Sequence, residues 1–232
     1  DDLNKIVALT EGGAGVAAHT TLTEAIKAAA PSGTVELLSD VTVDKWVMIS
    51  EKLNIGSGQI ITLDMSGLTI DGNGCTLTVN AIESATNGNH LFYDGDYNVQ
   101  DLTIKVADGV NGGLGITSGT IRNVTFVGGD LGVLPADGQI TGVHAGDVTI
   151  EGCTFKVNGS AIYYETAQDG LVVNGNTFDI PSTENVIIMY GAEKFTNNTV
   201  VSGRTVNVAG GSPVVTDNNF NDVRFKVYNE AT

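Results

Sequence analysis

Side chains able to do chemistry are plentiful in this chain, but few stand at a spacing that commits them to it. The stretch "DGDYN" sets Asp94, Asp96 and Asn98 at alternate positions, a spacing that oxygen-ligand loops use for Ca²⁺. It lacks the later glycine and the terminal glutamate of such a loop, and a turn with solvated aspartates is the preferred reading. No cofactor is expected, and Ca²⁺ is the one ion this weak pattern could take. His19, His90 and His144 are dispersed, which favours structural or exposed roles over metal ligation. Hydrolysis of a glycosidic bond needs two carboxylates facing one sugar from opposite sides. The chain has 27 acidic residues, yet none forms a pair that spacing alone can place. Its two cysteines form neither a CxxC motif nor a disulfide framework.

The composition narrows the partners. With 11 basic residues against those 27 acidic ones the formal charge is −16, which opposes the phosphate neutralisation that nucleic-acid binding requires. Anionic membranes and polyanionic sugars are disfavoured for the same reason, unless a cation mediates. Apolar runs are too short to span a bilayer, so no membrane insertion is expected. Hydrophobic residues make up 41% of the chain, enough for a real core. No basic and apolar leader opens it, so any signal peptide was removed before Asp1 or never existed; the expectation is a secreted or cell-surface protein from which it has been removed.

The elements that must position any site repeat. A six-residue unit, "apolar, polar, Gly/Asn/Asp, small, Thr/Asn, apolar", fits Val99–Ile104, Ile121–Phe126, Ile150–Phe155, Val173–Phe178, Phe195–Val200 and Val215–Phe220. A looser copy bulged by two residues runs from Ile70 to Leu77. The unit returns about every 20 to 29 residues. Each copy reads as two short strands meeting at a bend. The third position holds Asp101, Asn123, Gly152, Gly175, Asn197 or Asp217, residue types that tolerate the left-handed backbone a one-residue turn needs. Positions four and six then point inward and position five outward. Third strands are expected in "HLFY" at His90, "GVHA" at Gly142, "AIYY" at Ala161, "VIIMY" at Val186 and "TVNV" at Thr205. Three short strands per turn describe a coil of a parallel β-solenoid. Leucines are too sparse for a leucine-rich repeat, a propeller needs longer blades, and a sandwich would not repeat one bend chemistry.

Position four carries two further expectations. It reads Cys75, Leu102, Val124, Cys153, Asn176, Asn198 and Asn218 along the chain. The three asparagines should stack inward, each amide bonding its neighbours, because an unpaired buried amide is costly. The cysteines stand three coils apart, about 14 Å at ~4.8 Å per coil, beyond the reach of a disulfide. Both should be free, buried thiols.

The units "TIEGCTF", "VVNGNTF" and "VVTDNNF" resemble the repeats of right-handed parallel β-helix proteins of the pectin-lyase-like superfamily, over roughly Leu68 to Phe220. The resemblance implies an all-β fold with three short strands per coil, as one domain over residues 1–232. In "TLTEAIKAAAPSG", Thr21 and Glu24 form a capping box. Leu22, Ala25, Ile26 and Ala29 make one apolar face of a helix over residues 21–30. This helix, followed by "TVELLSDVTV" and "KWVMIS", looks like the cap that opens such β-helices and is similar to the start of many bacterial surface proteins. Residues 1–50 would be the cap, 51–222 the coils and 223–232 the other end.

What the resemblance implies for catalysis does not carry over. The polygalacturonase-like hydrolases of the superfamily carry Asn-Thr-Asp, Asp-Asp, His-Gly and Arg-x-Lys motifs, all absent here. Its calcium-dependent lyases use an arginine base beside clustered acids. The arginines here are Arg122 at an outward position, Arg204 near a turn and Arg224 in the final strand. Ligands in this fold lie along a strand row and its flanking loops. The corresponding segments contribute Tyr93, His144, Tyr163 or Tyr164, and Tyr190, with Asp94, Asp96, Asp147, Glu165 and Asp169 beside them. Aromatic faces flanked by carboxylates suit neutral sugars, although several tyrosines could instead point inward. The inserts Asn80–Asn89 and Gly128–Gln139 are expected to wall such a groove or to be solvated loops. The function expected is therefore an adhesive or structural module that takes a glycan, or a host or cell-surface ligand. The rival is a polysaccharide-degrading enzyme with an unrecognised carboxylate pair.

Overall fold

The structure is a computed structural model and describes residues 6–9, 16–51, 60–83, 90–135, 147–163, 170–190, 194–209 and 213–228. Among these the chain is mostly β, with one helix, and its strands form sheets of ten, eight and nine strands. The chain visits the three sheets in rotation. Val148–Glu151 lies in the first sheet, Thr154–Lys156 in the second and Ser160–Tyr163 in the third. Leu171–Asn174 then returns to the first sheet, parallel to Val148–Glu151 and in register with it.

The repeat unit sets that register. Its first positions form one column, Ile70, Val99, Ile121, Ile150, Val173, Phe195 and Val215, each paired with the next. Its last positions form another, Leu77, Ile104, Phe126, Phe155, Phe178, Val200 and Phe220. Both columns face one apolar core that runs from Leu22 to Val206. Aromatic rings stack along it: Phe126 on Phe155 at 4.8 Å and Phe155 on Phe178 at 5.1 Å. Where the column substitutes Val200 for phenylalanine, Phe195 from the facing sheet takes the place in the stack, 6.2 Å from both Phe178 and Phe220.

All six regular bends are left-handed, with φ of 52° at Asp101 and Asn123, 62° at Gly152, 67° at Gly175, 56° at Asn197 and 59° at Asp217. Each of the first five gives its backbone N–H to a carbonyl of the following coil, as Gly152 does to Asn174 at 3.1 Å. The expected asparagine ladder forms beside them. Asn198 Oδ1 accepts from the Asn176 backbone N–H at 2.9 Å and from Asn176 Nδ2 at 3.1 Å. Asn218 Oδ1 accepts the same pair from Asn198, at 2.8 and 3.1 Å. The second amide hydrogens reach one coil back, Asn176 to the Ile150 carbonyl at 2.9 Å and Asn198 to that of Val173 at 3.0 Å.

Cys153 continues the column with a thiol. Its Sγ lies 3.5 Å from the Ile121 carbonyl, the group one coil back that an asparagine there would reach, and its N–H donates to Asn176 Oδ1 at 2.8 Å. Cys75 and Cys153 are both free. Burial pushes the Cys153 thiol up to about 12. Cys75 is only half-buried, against the expectation of burial. It lies in the bulged first copy, where Asn73 and Gly74 both take positive φ.

The helix Leu22–Ala29 forms as the capping box predicts. Thr21 Oγ1 accepts the Glu24 N–H at 3.2 Å, and Leu22, Ala25, Ile26 and Ala29 are buried against the core. Two features differ from expectation at this end. Ile6–Leu9 and Val16–His19 extend the first sheet as antiparallel strands beyond Thr34–Leu37. The strands Thr34–Leu37, Val41–Val43 and Met48–Ser50, expected in the cap, are themselves rungs of the three sheets, through Val35–Ile70, Val41–Leu77 and Ile49–Phe92. Elsewhere, Leu114–Ile116 is a strand of the third sheet that the alternation pattern misses. Leu131–Pro135 is another, inside the segment expected to be an insert. "GVHA" lies outside the described residues.

Asn198→Leu removes the acceptor of the Asn176 N–H and the donor to the Val173 carbonyl in a buried site. It should destabilise the chain by roughly 1–3 kcal/mol in denaturant unfolding, and a loss under about 0.5 kcal/mol would contradict the ladder. Thiol labelling should modify at most Cys75 in the folded chain and reach Cys153 only on unfolding, because the thiolate is the reacting species. Equal native labelling of both would contradict this placement.

Candidate functional site

The outward faces of the three sheets differ in chemistry. On the first, polar side chains bond along the column: Gln100 Nε2 donates to Asp71 Oδ2 at 2.7 Å and Arg122 Nη2 to Gln100 Oε1 at 2.9 Å. Arg122 is thus an exposed rung, not a buried base. On the second, Thr76, Thr103, Thr125, Thr154, Thr177 and Thr199 stand in one half-buried column. The third mixes aromatic and aliphatic residue types with glycine and polar ones at the register positions alternate to the core. Ser50 pairs with Tyr93, Gly115 with Leu134, Tyr163 with Ile188, Ile188 with Asn207, and Asn207 with Lys226.

Tyr93 is not an open rung of that row. It is 3% exposed and forms a small cluster with Met48 and the half-buried Ile60, apart from the main core. Its ring stacks on buried His90 at 5.7 Å. The physical reason is local: Met48, Ile60 and Tyr93 are large apolar or aromatic side chains on neighbouring strands of the third sheet, so they bury one another outside the core. Tyr163 is half-buried, and Tyr190 ends its strand paired with Ala209, two positions beyond Ile188. His144, Tyr164, Glu165 and Asp169 lie outside the described residues.

"DGDYN" is a bend leading into the strand Tyr97–Gln100, and its three candidate ligands do separate work. Asp94 is 2% exposed with φ 51°. Asp96 is half-buried and donates its backbone N–H to Glu51. Asn98 Oδ1 accepts the Thr120 N–H of the next coil at 3.0 Å. Among the described residues no three His, Cys, Asp or Glu side chains converge on a position that could hold a metal ion. An apolar void under the helix, about 10 Å³ and lined by Leu22, Phe92, Leu102 and other apolar residues, is large enough for a single water at most.

The acidic group that sequence reasoning overlooked is Glu51. Its Oε1 accepts two backbone N–H groups, from Met65 at 2.9 Å and Asp96 at 3.1 Å. Burial pushes its carboxyl above the usual glutamate range despite those bonds, with Asp64 and Asp96 adding repulsion. Exposed Asp64 is held below its usual range by the Ser66 hydroxyl and N–H. A raised and a lowered carboxyl side by side is a pattern acid–base pairs show. Here the raised member is occupied in joining two chain segments, which identifies it as a staple. No signal in the sequence marks it, because both of its partners are backbone groups from distant segments.

No protein-family model, no curated protein and no solved structure matches this chain.

A carboxyl with a raised folded-state pKa binds its proton more tightly in the folded chain. Its ionisation therefore costs stability as pH rises from the unfolded to the folded pKa, and the cost persists above both. Glu51→Gln keeps an acceptor oxygen and removes the charge. Thermal unfolding should show the variant at least as stable as the parent at pH 7, with any advantage vanishing in acid below the ordinary carboxylate range. A variant clearly less stable at pH 7 would show that the charge itself is required.

Proposed function

We propose that residues 1–232 form one right-handed parallel β-helix of the pectin-lyase-like kind, acting as a secreted or surface-displayed adhesive or structural module that takes a neutral glycan. The rotation of the chain through three parallel sheets supports the fold, and the strong preference for right-handed parallel crossovers supports the hand. The observation that carries the function is the contrast of outward faces. Two are polar or threonine-rich, while the third pairs Tyr163 with Ile188 on neighbouring rungs and has Tyr190 two positions further along the Ile188 strand. Pyranose rings have apolar C–H faces that aromatic rings stack upon, and a run of rungs ~4.8 Å apart suits an extended chain of sugars. Tyr164, Glu165, Asp169 and His144 would flank that row. A charge of −16 selects neutral over acidic polymers.

Affinity electrophoresis in neutral and acidic polysaccharides tests this reading, with Tyr163→Ala and Tyr190→Ala as variants. The parent should be retarded by at least one neutral glycan, and either variant should lose about tenfold in affinity, with its unfolding temperature held. No retardation by any glycan, or retardation unchanged in both variants, contradicts the proposal. Release of reducing ends or unsaturated products during the run would move the chain to the polysaccharide-degrading class.

A further inference from the structure

Asparagine followed by glycine occurs five times in the sequence, and the structure describes four of these pairs: Asn73–Gly74, Asn111–Gly112, Asn158–Gly159 and Asn174–Gly175. Such a pair sets an electrophile beside a nucleophile. The glycine nitrogen can close on the asparagine Cγ, because glycine has no side chain to obstruct the five-membered ring and adopts the backbone angles it needs. The four pairs differ in whether that nitrogen is free to turn.

Two pairs lie at bends between the first and second sheets, and there the nitrogen is held. The Gly74 N–H donates to the Asp101 carbonyl at 2.7 Å and the Gly175 N–H to the Thr196 carbonyl at 3.0 Å, each acceptor in the following coil. Asn174 is fixed further by its side-chain oxygen, which accepts Thr196 Oγ1 and Asn197 Nδ2, each at 2.9 Å. The other two pairs lie at the corner where the chain passes from the second sheet to the third. Asn111 follows Thr103–Val106 and precedes Leu114–Ile116, and Asn158 stands between Thr154–Lys156 and Ser160–Tyr163. Among the described residues no acceptor takes the N–H of Gly112 or Gly159. Asn158 is exposed and its Nδ2 donates to Asp108 Oδ1 at 2.8 Å, a bond to the amide nitrogen and not to the attacking one.

We propose that this corner is a site of spontaneous asparagine modification by water, at Asn111 and Asn158, and that the inter-coil bonds of the bends protect Asn73 and Asn174 from it. In the first step the glycine nitrogen bonds to the asparagine Cγ and the Cγ–Nδ2 bond breaks. The proton of the glycine nitrogen passes to water or hydroxide, and Nδ2 leaves as ammonia. Water then adds to a carbonyl carbon of the cyclic imide and the bond from that carbon to the ring nitrogen breaks. Attack at Cγ gives aspartate, and attack at the main-chain carbonyl gives isoaspartate. The net change consumes water, releases ammonia and adds a negative charge. At Asn158 that charge replaces the donor to Asp108. Isoaspartate there adds a main-chain carbon just before the strand Ser160–Tyr163. At the bends the same closure must first break the bond that holds the next coil, so it waits on local opening. The inference does not rest on the proposed glycan row.

The test compares each site with itself, so that differences in neighbouring residues cancel. The chain is held in mildly alkaline buffer, once folded and once in denaturant. Peptide mass mapping follows the conversion of each amide to acid, and chromatography separates the aspartate from the isoaspartate peptides. Asn73 and Asn174 should convert at least tenfold faster in denaturant, whereas the rates at Asn111 and Asn158 should differ less than about threefold between the two conditions. A folded-state rate at Asn73 or Asn174 equal to its rate in denaturant overturns the inference. So does a tenfold slowing of either Asn111 or Asn158 on folding.

Discussion

A left-handed bend turns the chain in one residue, but it leaves backbone N–H groups that the turning coil cannot satisfy by itself. The following coil must supply the acceptors, and this requirement organises the molecule. The bend N–H of Gly152 finds the Asn174 carbonyl, and that of Asn197 finds the Thr216 carbonyl. At the buried fourth position, where Cys153, Asn176 and Asn198 each give an N–H to the following coil, a donor left open costs about 1–3 kcal/mol, so each coil fixes the register of the next. The columns at positions one and six follow from that register, and only then does the apolar core become continuous.

Position four shows how differently the same demand can be met. In the last three coils asparagine supplies both an acceptor for the preceding coil and a donor to the carbonyl one coil back. At Cys153 a thiol lies on the equivalent carbonyl, and its sulfur takes the backbone N–H of Val124 from the preceding coil. At Leu102 and Val124 the position is purely apolar and buried. The chain thus moves from apolar to amide-bonded coils toward its C-terminal end. Its aromatic stack begins at Phe126 and continues through Phe220 in the same direction.

The parts of this fold that sequence made legible are those where chemistry and geometry coincide. Asp101, Asn123 and Gly152 share tolerance of positive φ, so the bends and the strands either side of them could be aligned without a structure. Thr21 and Glu24 marked the helix start for a similar reason. The third strands have no such signature. Leu114–Ile116 is buried at all three positions and contains a glycine, so alternation gives no cue. The antiparallel strands at the N-terminal end depend on pairing with Thr34–Leu37, a long-range contact that local pattern does not encode. The site was less legible still. Tyr93 reads as an outward rung, and by register it is one, but Met48 and Ile60 cover it. Glu51 acts through backbone partners, which leave no trace in residue type.

Stacked coils held by a directional amide column also explain why the outward faces can vary. Once register is fixed from inside, a threonine column, a polar ladder and an aromatic-bearing row can each occupy an outer surface without altering the fold. The claim at the centre of this account is that the asparagine column is formed and polar in the direction described. Scalar coupling across hydrogen bonds reads this in solution, by correlating backbone ¹⁵N with side-chain ¹³Cγ. The account predicts correlations from the Asn176 amide to Asn198 Cγ and from the Asn198 amide to Asn218 Cγ. Absence of both, or correlations that run in the opposite direction along the column, would contradict it.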